Sequence, residues 1–372
     1  MYDIAVVGAG INGASVAYEF ISAGKKVIIF DENSIAGGGS GAAGAFISPK
    51  FSKAGDLKEL LHDGFVYSMK FYEKNFPTLL TKAPLLHIAQ DKESSDILKF
   101  YKSSSDFTLK VPSDELLNSL SLDAKNQENI YMQGAIVDAS AMCHAMSKLA
   151  RFVEEKVQDL VYDNGMWIIN ETYSAKDVVL ATGAYESVIK EPYIKLRGVW
   201  GHRIDIKTTT ENLNSIHQFV SISPGKDGVL AIGATHNIHY HPQIATIPYD
   251  LQEGRAELLE KVSRTLKLEN VEIIKDYTGL RSGSFDYLPL AGRLVISKET
   301  LALKNINFKV KNPNYDEYAY YPNLYMINGS GGYGFVLAPY LAKMLKEYIL
   351  KGKEIDRRVQ PARFFARMAR KA

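Results

Sequence analysis

Apolar positions along the chain fall into two rhythms. Residues 4–7 form a short apolar run with β-branched side chains. Residues 14–23 are amphipathic and end at Gly24, and residues 27–30 form a second apolar run closed by Asp31. Short apolar runs read as buried strands and the 3.6-residue pattern reads as helix, so the chain predicts strand, helix and strand at its start. Helical patterning returns over 56–76, 139–156, 251–266 and 336–350. Residues 157–169 read as two short strands around Asp163-Asn164-Gly165, 177–180 as a buried strand and 197–247 as mostly β. Residues 83–132 mix short apolar pieces with polar breaks such as Ser103-Ser104-Ser105, and the tyrosine-rich segment 305–322 reads as an added surface hairpin. No internal repeat is visible.

Two of the apolar runs lead into glycine turns. The first is Gly8-Ala9-Gly10-Ile11-Asn12-Gly13, and Asp31 follows 18 residues beyond Gly13. In that pattern one glycine permits a tight turn, one lets the backbone approach a pyrophosphate and one allows helix–strand contact; the acid accepts hydrogen bonds from a ribose. An acid at position 31 disfavours a 2′-phosphate. The whole unit, with strand, turn, helix and acid in register, predicts a dinucleotide site. The second turn, Gly329-Ser330-Gly331-Gly332-Tyr333-Gly334, follows the apolar run 323–328 and opens a long apolar helix, so a second helix N-terminus can face an electron-rich group. These turns lie more than 300 residues apart. One unit is therefore expected to form from the two ends of the chain, with a substrate domain inserted between them. Gly37 to Ala45 is almost free of side-chain bulk. It reads either as a flexible linker or as a loop lying close to a flat cofactor ring, and the helix pattern that follows favours the second.

Composition narrows the class. The 372 residues are 46% hydrophobic and 23% charged, an ordinary globular balance. At roughly 150 residues per domain this suggests two or three units. The single cysteine, Cys143, excludes an intramolecular disulfide and any cysteine-built zinc or iron–sulfur site. The opening residues carry no basic leader or small-residue cleavage site, and no apolar run reaches the ~18 residues of a spanning helix, so a soluble cytoplasmic protein is expected. Net charge is +2, but residues 351–372 alone hold eight basic and two acidic side chains, leaving −4 for the other 350.

Together the motifs resemble the D-amino-acid-oxidase and glycine-oxidase superfamily of FAD enzymes. The matching pieces are Gly8-x-Gly10-x-x-Gly13 with Asp31, Ala181-Thr182-Gly183, Gly279-Leu280-Arg281 leading into Asp286-Tyr287-Leu288-Pro289-Leu290-Ala291-Gly292, and Gly329-x-Gly331. A narrower resemblance is to the FAD domain of the MnmC family, bifunctional enzymes that complete 5-methylaminomethyl-2-thiouridine in tRNA. It rests on Gly39-Ser40-Gly41-Ala42-Ala43-Gly44, on Leu196-Arg197-Gly198 followed by His202, and on Pro361-Ala362-Arg363-Phe364. Ala42 and Val199 stand where that family carries asparagine and glutamine, and the family's methyltransferase half is absent from this chain. The resemblance implies an α/β fold: a Rossmann-like FAD-binding domain of the glutathione-reductase type with an inserted β-rich, α+β substrate domain. The expected division is 1–80, 135–196 and 276–372 for the FAD domain, with a basic tail at 351–372, and 81–134 and 197–275 for the substrate domain.

The resemblance also implies roles. Gly8, Gly10, Ile11, Asn12, Gly13 and Asp31, the loop residues Gly39, Ser40, Gly41 and Ala42, then Thr182, Gly183, Arg281, Gly329, Gly331, Gly332, Tyr333 and Gly334 are expected at FAD. Arg281 is expected to hold a substrate carboxylate, since a guanidinium fork suits two-point binding. His202 and His236 are expected to line the pocket. Cys143 sits in a helical pattern and reads as a small buried residue, so the FAD is expected to be non-covalent. His236, His239 and His241 lack a completing acid, and no metal site is expected. The implied activity is oxidative removal of the carboxymethyl group from 5-carboxymethylaminomethyl(-2-thio)uridine at the tRNA wobble position, giving the aminomethyl form and glyoxylate. A separate methyltransferase would then act next. The alternative is an oxidase of free glycine, sarcosine or D-amino acids. In the tail, Arg363, Arg367 and Arg370 fall at i, i+4 and i+7, which predicts a one-sided basic helix suited to tRNA phosphates, with no membrane role.

Overall fold

The computed structural model describes residues 1–371 as two compact units. Among the described residues the first comprises 1–38, 143–198 and 281–371, and the second 39–142 and 199–280. Residues 39–80, 135–142 and 276–280 thus pack with the second unit, not the first as expected. The cause is strand pairing: Phe46–Ile47 and Leu80–Ile88 both pair with Asn129–Val137.

The first unit is built on a sheet in the order Leu290–Val295, Tyr320–Asn328, Tyr173–Leu180, Tyr2–Val7, Val27–Asp31, Arg151–Glu154. The four central pairings are parallel and the Leu290–Val295 edge is antiparallel. Parallel strands buried on both faces need continuous apolar runs, and Ile4 to Val6, Ile28 to Phe30 and Val178 to Leu180 supply them with almost no exposure. The helices Ile11–Ile21 and Gly334–Lys351 pack together, tied by a Lys346–Glu19 ion pair. The hairpin at Asn164-Gly165 forms as expected, with both residues at positive φ.

Two expectations need correction. The helix expected over 139–156 ends at Ser147, and Arg151–Glu154 becomes a strand beside Val27–Asp31, because Phe152 and Val153 find parallel partners in Ile29 and Phe30. Residues 305–322 form no hairpin. They hold a short turn at Tyr315–Glu317 and then enter the strand Tyr320–Asn328, while Phe308 and Tyr318 pack against Phe365 of the last helix. The aromatic rings of that run serve the core and not the surface.

The second unit carries a nine-stranded sheet. One face, with Ile204, Ile206, Ile216, Ile222, Leu230 and Ile232, is covered by Leu258 and Val262 of the helix Leu251–Ser263. Strand alternation puts Arg203, Asp205, His217 and His87 on the other face.

Candidate functional site

The first glycine turn leaves no room for side chains. Gly8 sits at φ +108°, and a Cβ there would lie 2.3 Å from the Ala181 carbonyl oxygen. A Cβ on Gly13 would lie 1.9 Å from the Gly8 carbonyl oxygen. The helix, its entering strand and the Ala181-Thr182-Gly183 segment are therefore in direct backbone contact. Asp31 closes the neighbouring strand, and its carboxylate accepts from the amides of Ala9 at 2.8 Å and Asn33 at 3.0 Å. Two backbone donors leave acceptor capacity on a carboxylate for a ribose hydroxyl. The helix Ile11–Ile21 begins at Gly10 with no side-chain cap and no acid in its first turn, so its positive N-terminal end suits a pyrophosphate.

The second turn meets the first. Ser330 donates to Asn12 Oδ1 at 3.4 Å, and Gly334 packs against Ile11. The helix Gly334–Lys351 also starts without a side-chain cap or first-turn acid. Space beyond Gly331 and Gly332 is open: a Cβ on either would meet nothing within 4 Å. Asn328, fully buried, organises the surroundings. Its Nδ2 donates to the Gly183 carbonyl at 2.9 Å, and its Oδ1 accepts from Gly329 N at 2.8 Å and Ser282 Oγ at 2.9 Å. A bridge between Gly283 and Ser330 sets the end of the strand Glu272–Ser284, which carries Arg281, against the glycine turn. Arg281 is half-buried there, and burial pushes its guanidinium below the usual range. So Gly8, Gly10, Ile11, Asn12, Gly13, Asp31, Thr182, Gly183, Arg281, Gly329, Gly331, Gly332, Tyr333 and Gly334 gather in one unit. Two uncapped helix ends, a spare carboxylate edge and an open glycine turn fit FAD. Sequence reasoning missed Asn328; the signal was a lone amide ending an apolar strand directly before the glycines.

The remaining expected residues lie in the second unit. Gly39, Ser40, Gly41 and Ala42 belong to an ordered loop, not a linker: Ala43 N donates to Ser40 O, Arg203 donates to the Ala43 carbonyl, and Val137 N donates to Ala45 O. His202 differs from expectation. It is wholly buried, its Nε2 lies 2.9 Å from Asp276, and its ring packs so closely on Gly254 that a Cβ there would sit 2.1 Å from Nδ1. Asp276 is also held by both Nε and Nη2 of Arg255, which keeps its carboxyl at about 2. His202 therefore locks a strand to a helix. His236 is exposed, just beyond the strand Val229–Gly233. His87 and His217, not singled out in the sequence, are side by side on adjacent parallel strands, where burial pushes them down to about 4 and about 3. Among the described residues no group of histidine, cysteine and acid side chains could hold a metal ion.

The tail also differs. Residues Ala362–Ala369 form the expected helix, with Phe364 and Phe365 buried. Arg363, however, turns inward: it grips Asp286 at 3.0 Å through Nε and Nη2 and donates to the Leu288 carbonyl at 2.6 Å. Arg357 donates to Pro313 O and lies over the Tyr315 ring, and Arg358 pairs with Asp356. Arg367, Arg370 and Lys371 remain exposed. The basic face is thus smaller than its sequence suggests, because the arginines compensate acids and carbonyls inside the first unit. No helix among the described residues is long and apolar enough to cross a membrane.

These features can be set beside known proteins. The family model DAO, FAD dependent oxidoreductase, matches residues 3–348. The tRNA 5-methylaminomethyl-2-thiouridine biosynthesis bifunctional protein MnmC of Legionella pneumophila (strain Corby) is 21% identical over 96% of this chain and 56% of its own length. That of Dichelobacter nodosus is 25% identical over 98% and 58%. The chain thus spans about half the length of these curated relatives. Glycine oxidase of Bacillus licheniformis is 23% identical over 78% of this chain and 84% of its own length. Among solved structures, glycine oxidase from Bacillus cereus matches with a TM-score of 0.75 at 20% identity, covering 95% of this chain and 96% of the other. L-proline dehydrogenase from P. horikoshii matches at 0.73, 18% identity and 97% of each chain. The family match runs through both converging glycine turns, and the chain belongs to the DAO family of FAD-dependent oxidoreductases.

Proposed function

We propose that this enzyme oxidises the carboxymethylamino group of 5-carboxymethylaminomethyl(-2-thio)uridine at the tRNA wobble position, releasing glyoxylate and leaving the aminomethyl form. Arg281 carries the reading: it is a half-buried guanidinium set against the C-terminal glycine turn by the Gly283–Ser330 bridge. A planar fork in a desolvated setting binds a carboxylate at two points and fixes the carbon next to it. The two glycine turns would hold FAD non-covalently, and it would supply the two-electron oxidation of the C–N bond. The substrate's amine must be unprotonated, and water hydrolyses the resulting imine to glyoxylate and a primary amine. Asn328 positions the turn and Ser282 together, and so holds Arg281 in register with the cofactor cradle.

The curated relatives named for tRNA 5-methylaminomethyl-2-thiouridine biosynthesis, matched over nearly all of this chain, favour a modified uridine over free glycine. A methyltransferase would then complete the modification. The free-amino-acid reading is favoured by the glycine oxidase relative, which is matched over most of its own length. Incubating FAD-loaded protein with tRNA bearing the carboxymethylaminomethyl group, and with glycine and sarcosine, separates the two. Glyoxylate released from tRNA, with the aminomethyl nucleoside appearing by mass spectrometry, is the expected result. Efficient turnover of glycine with the tRNA left unchanged overturns it.

A further inference from the structure

We propose that Phe285 and Tyr287 form a stacking platform for an unpaired nucleobase flanking the modified uridine. The inference rests on the tRNA reading above and adds how the polynucleotide is held. Both rings project from the turn that follows the Arg281 strand, and they stay 58% and 63% exposed while most large apolar side chains of the chain are buried. A loosely exposed ring would say little. Here the turn is rigidly held. Ser284 Oγ donates to the Leu288 carbonyl at 2.6 Å and to Asp286 at 3.1 Å, and Tyr287 N donates to Ser284 O. Asp286 is gripped by Arg363, and Arg363 also holds the Leu288 carbonyl. Tyr287 sits at φ +65°, a conformation disfavoured for an aromatic residue and retained where surroundings enforce it. The result is a preorganised turn that points two rings outward.

Its charge suits a polynucleotide. The Arg197 guanidinium lies 5.4 Å from the centre of the Tyr287 ring, and Arg367 lies 3.6 Å from Asp286 with its side chain 55% exposed. Two guanidinium groups, those of Arg363 and Arg367, therefore attend Asp286, and a third, that of Arg197, lies at the Tyr287 ring. Aromatic faces interleaved with arginines are how proteins hold unstacked bases, whereas a free amino acid bound at Arg281 has no use for rings outside it. Gly283 joins the turn to the glycine cradle through Ser330, so a base stacked on these rings is a neighbour of the group at Arg281.

The test measures affinity of the FAD-loaded protein for tRNA carrying the carboxymethylaminomethyl uridine, using Phe285→Ala, Tyr287→Ala and Tyr287→Phe. Each alanine is expected to weaken binding by about five- to a hundredfold, and Tyr287→Phe to retain it. An abasic site beside the modified uridine should weaken binding to the original protein similarly and cost nothing further in the matching alanine variant. Flavin content and melting temperature report folding; should Tyr287→Ala lose flavin, Phe285→Ala and the abasic tRNA carry the test. If the original protein releases glyoxylate from tRNA while the alanine variants bind it within about twofold, the platform is wrong and the tRNA reading stands. If the original protein neither binds nor oxidises that tRNA, the reading itself fails and the platform with it. A dimer that dissociates in the alanine variants with unchanged tRNA affinity makes the rings a self-association surface and also overturns the inference.

Discussion

Asn328 Nδ2 donates to the Gly183 carbonyl at 2.9 Å, across 145 residues of sequence. One amide thereby links the Ala181-Thr182-Gly183 segment, the C-terminal glycine turn and Ser282 beside Arg281. Asn328→Ala should leave those buried groups without partners, at about 1–3 kcal/mol for each unsatisfied group. The expected outcome is a lower melting temperature, weaker flavin retention and a raised KM together. Unchanged flavin content would remove Asn328 from the cradle.

Gly13→Ala and Gly331→Ala should behave differently although both lie in glycine turns. The first places a methyl 1.9 Å from a carbonyl oxygen, and the backbone must move. Loss of bound flavin, read as lost absorbance near 450 nm, is the expected result. The second meets no protein atom and costs only about 1 kcal/mol for an alanine at φ +57°, so the flavin-free melting temperature should hardly change, while its methyl, projecting into the space assigned to FAD, should weaken flavin retention.

Changing Arg281 to Lys keeps the charge but removes the fork. KM for the carboxylate-bearing substrate should rise and kcat fall, because the α-carbon is no longer held at the reacting position. Steady-state kinetics equal to those of the original enzyme would exclude it from the substrate site.

Arg363 and Arg370 should separate structure from nucleic-acid binding. Arg363→Gln removes the two-point partner of Asp286, which keeps Ser284 and Arg367, and one donor to the Leu288 carbonyl, and should destabilise the protein by about 1–3 kcal/mol. Arg370→Gln should barely shift the melting temperature. If Arg370 touches a phosphate, the slope of log affinity against log salt should fall by about 0.7–0.9.

The His87–His217 pair sets an acid limit. Both are held neutral in the folded protein, at about 4 and about 3, while the unfolded chain protonates them near the usual 6.5. The unfolded state therefore binds more protons as pH falls below 6.5, and stability is lost on acidification until the folded values are reached. Each histidine contributes up to about 1.4 kcal/mol per pH unit in that window. Urea unfolding at pH 7 and pH 5 should show a smaller loss for His217→Gln than for the original protein.

Backbone-driven features were legible in the sequence. Gly8, Gly13 and Asp31 announced themselves because a tight turn, a helix start and a terminal acid need those residue types at that spacing. The convergence of the two turns followed from their likeness. What escaped were features decided by distant partners. Arg363 reads as part of a basic face until Asp286 is seen beside it, and Phe152 and Val153 continue a helical pattern until Ile29 and Phe30 offer a parallel edge. His202 carries no mark in one dimension of being wedged between Gly254 and Asp276.

Building the cradle from both arms of the chain has a consequence for biosynthesis. The strand Tyr173–Leu180 keeps its Tyr2–Val7 neighbour early, but its other edge waits for Tyr320–Asn328, and the second uncapped helix begins only at Gly334. A ribosome must therefore translate more than 330 codons before flavin meets a complete receptor. During that interval the apolar edge at Val178 and Leu180 lacks its partner strand, a hazard for nascent chains. Synthesis stalled before codon 320 should accordingly show as aggregation of the nascent chain, whether or not flavin is plentiful.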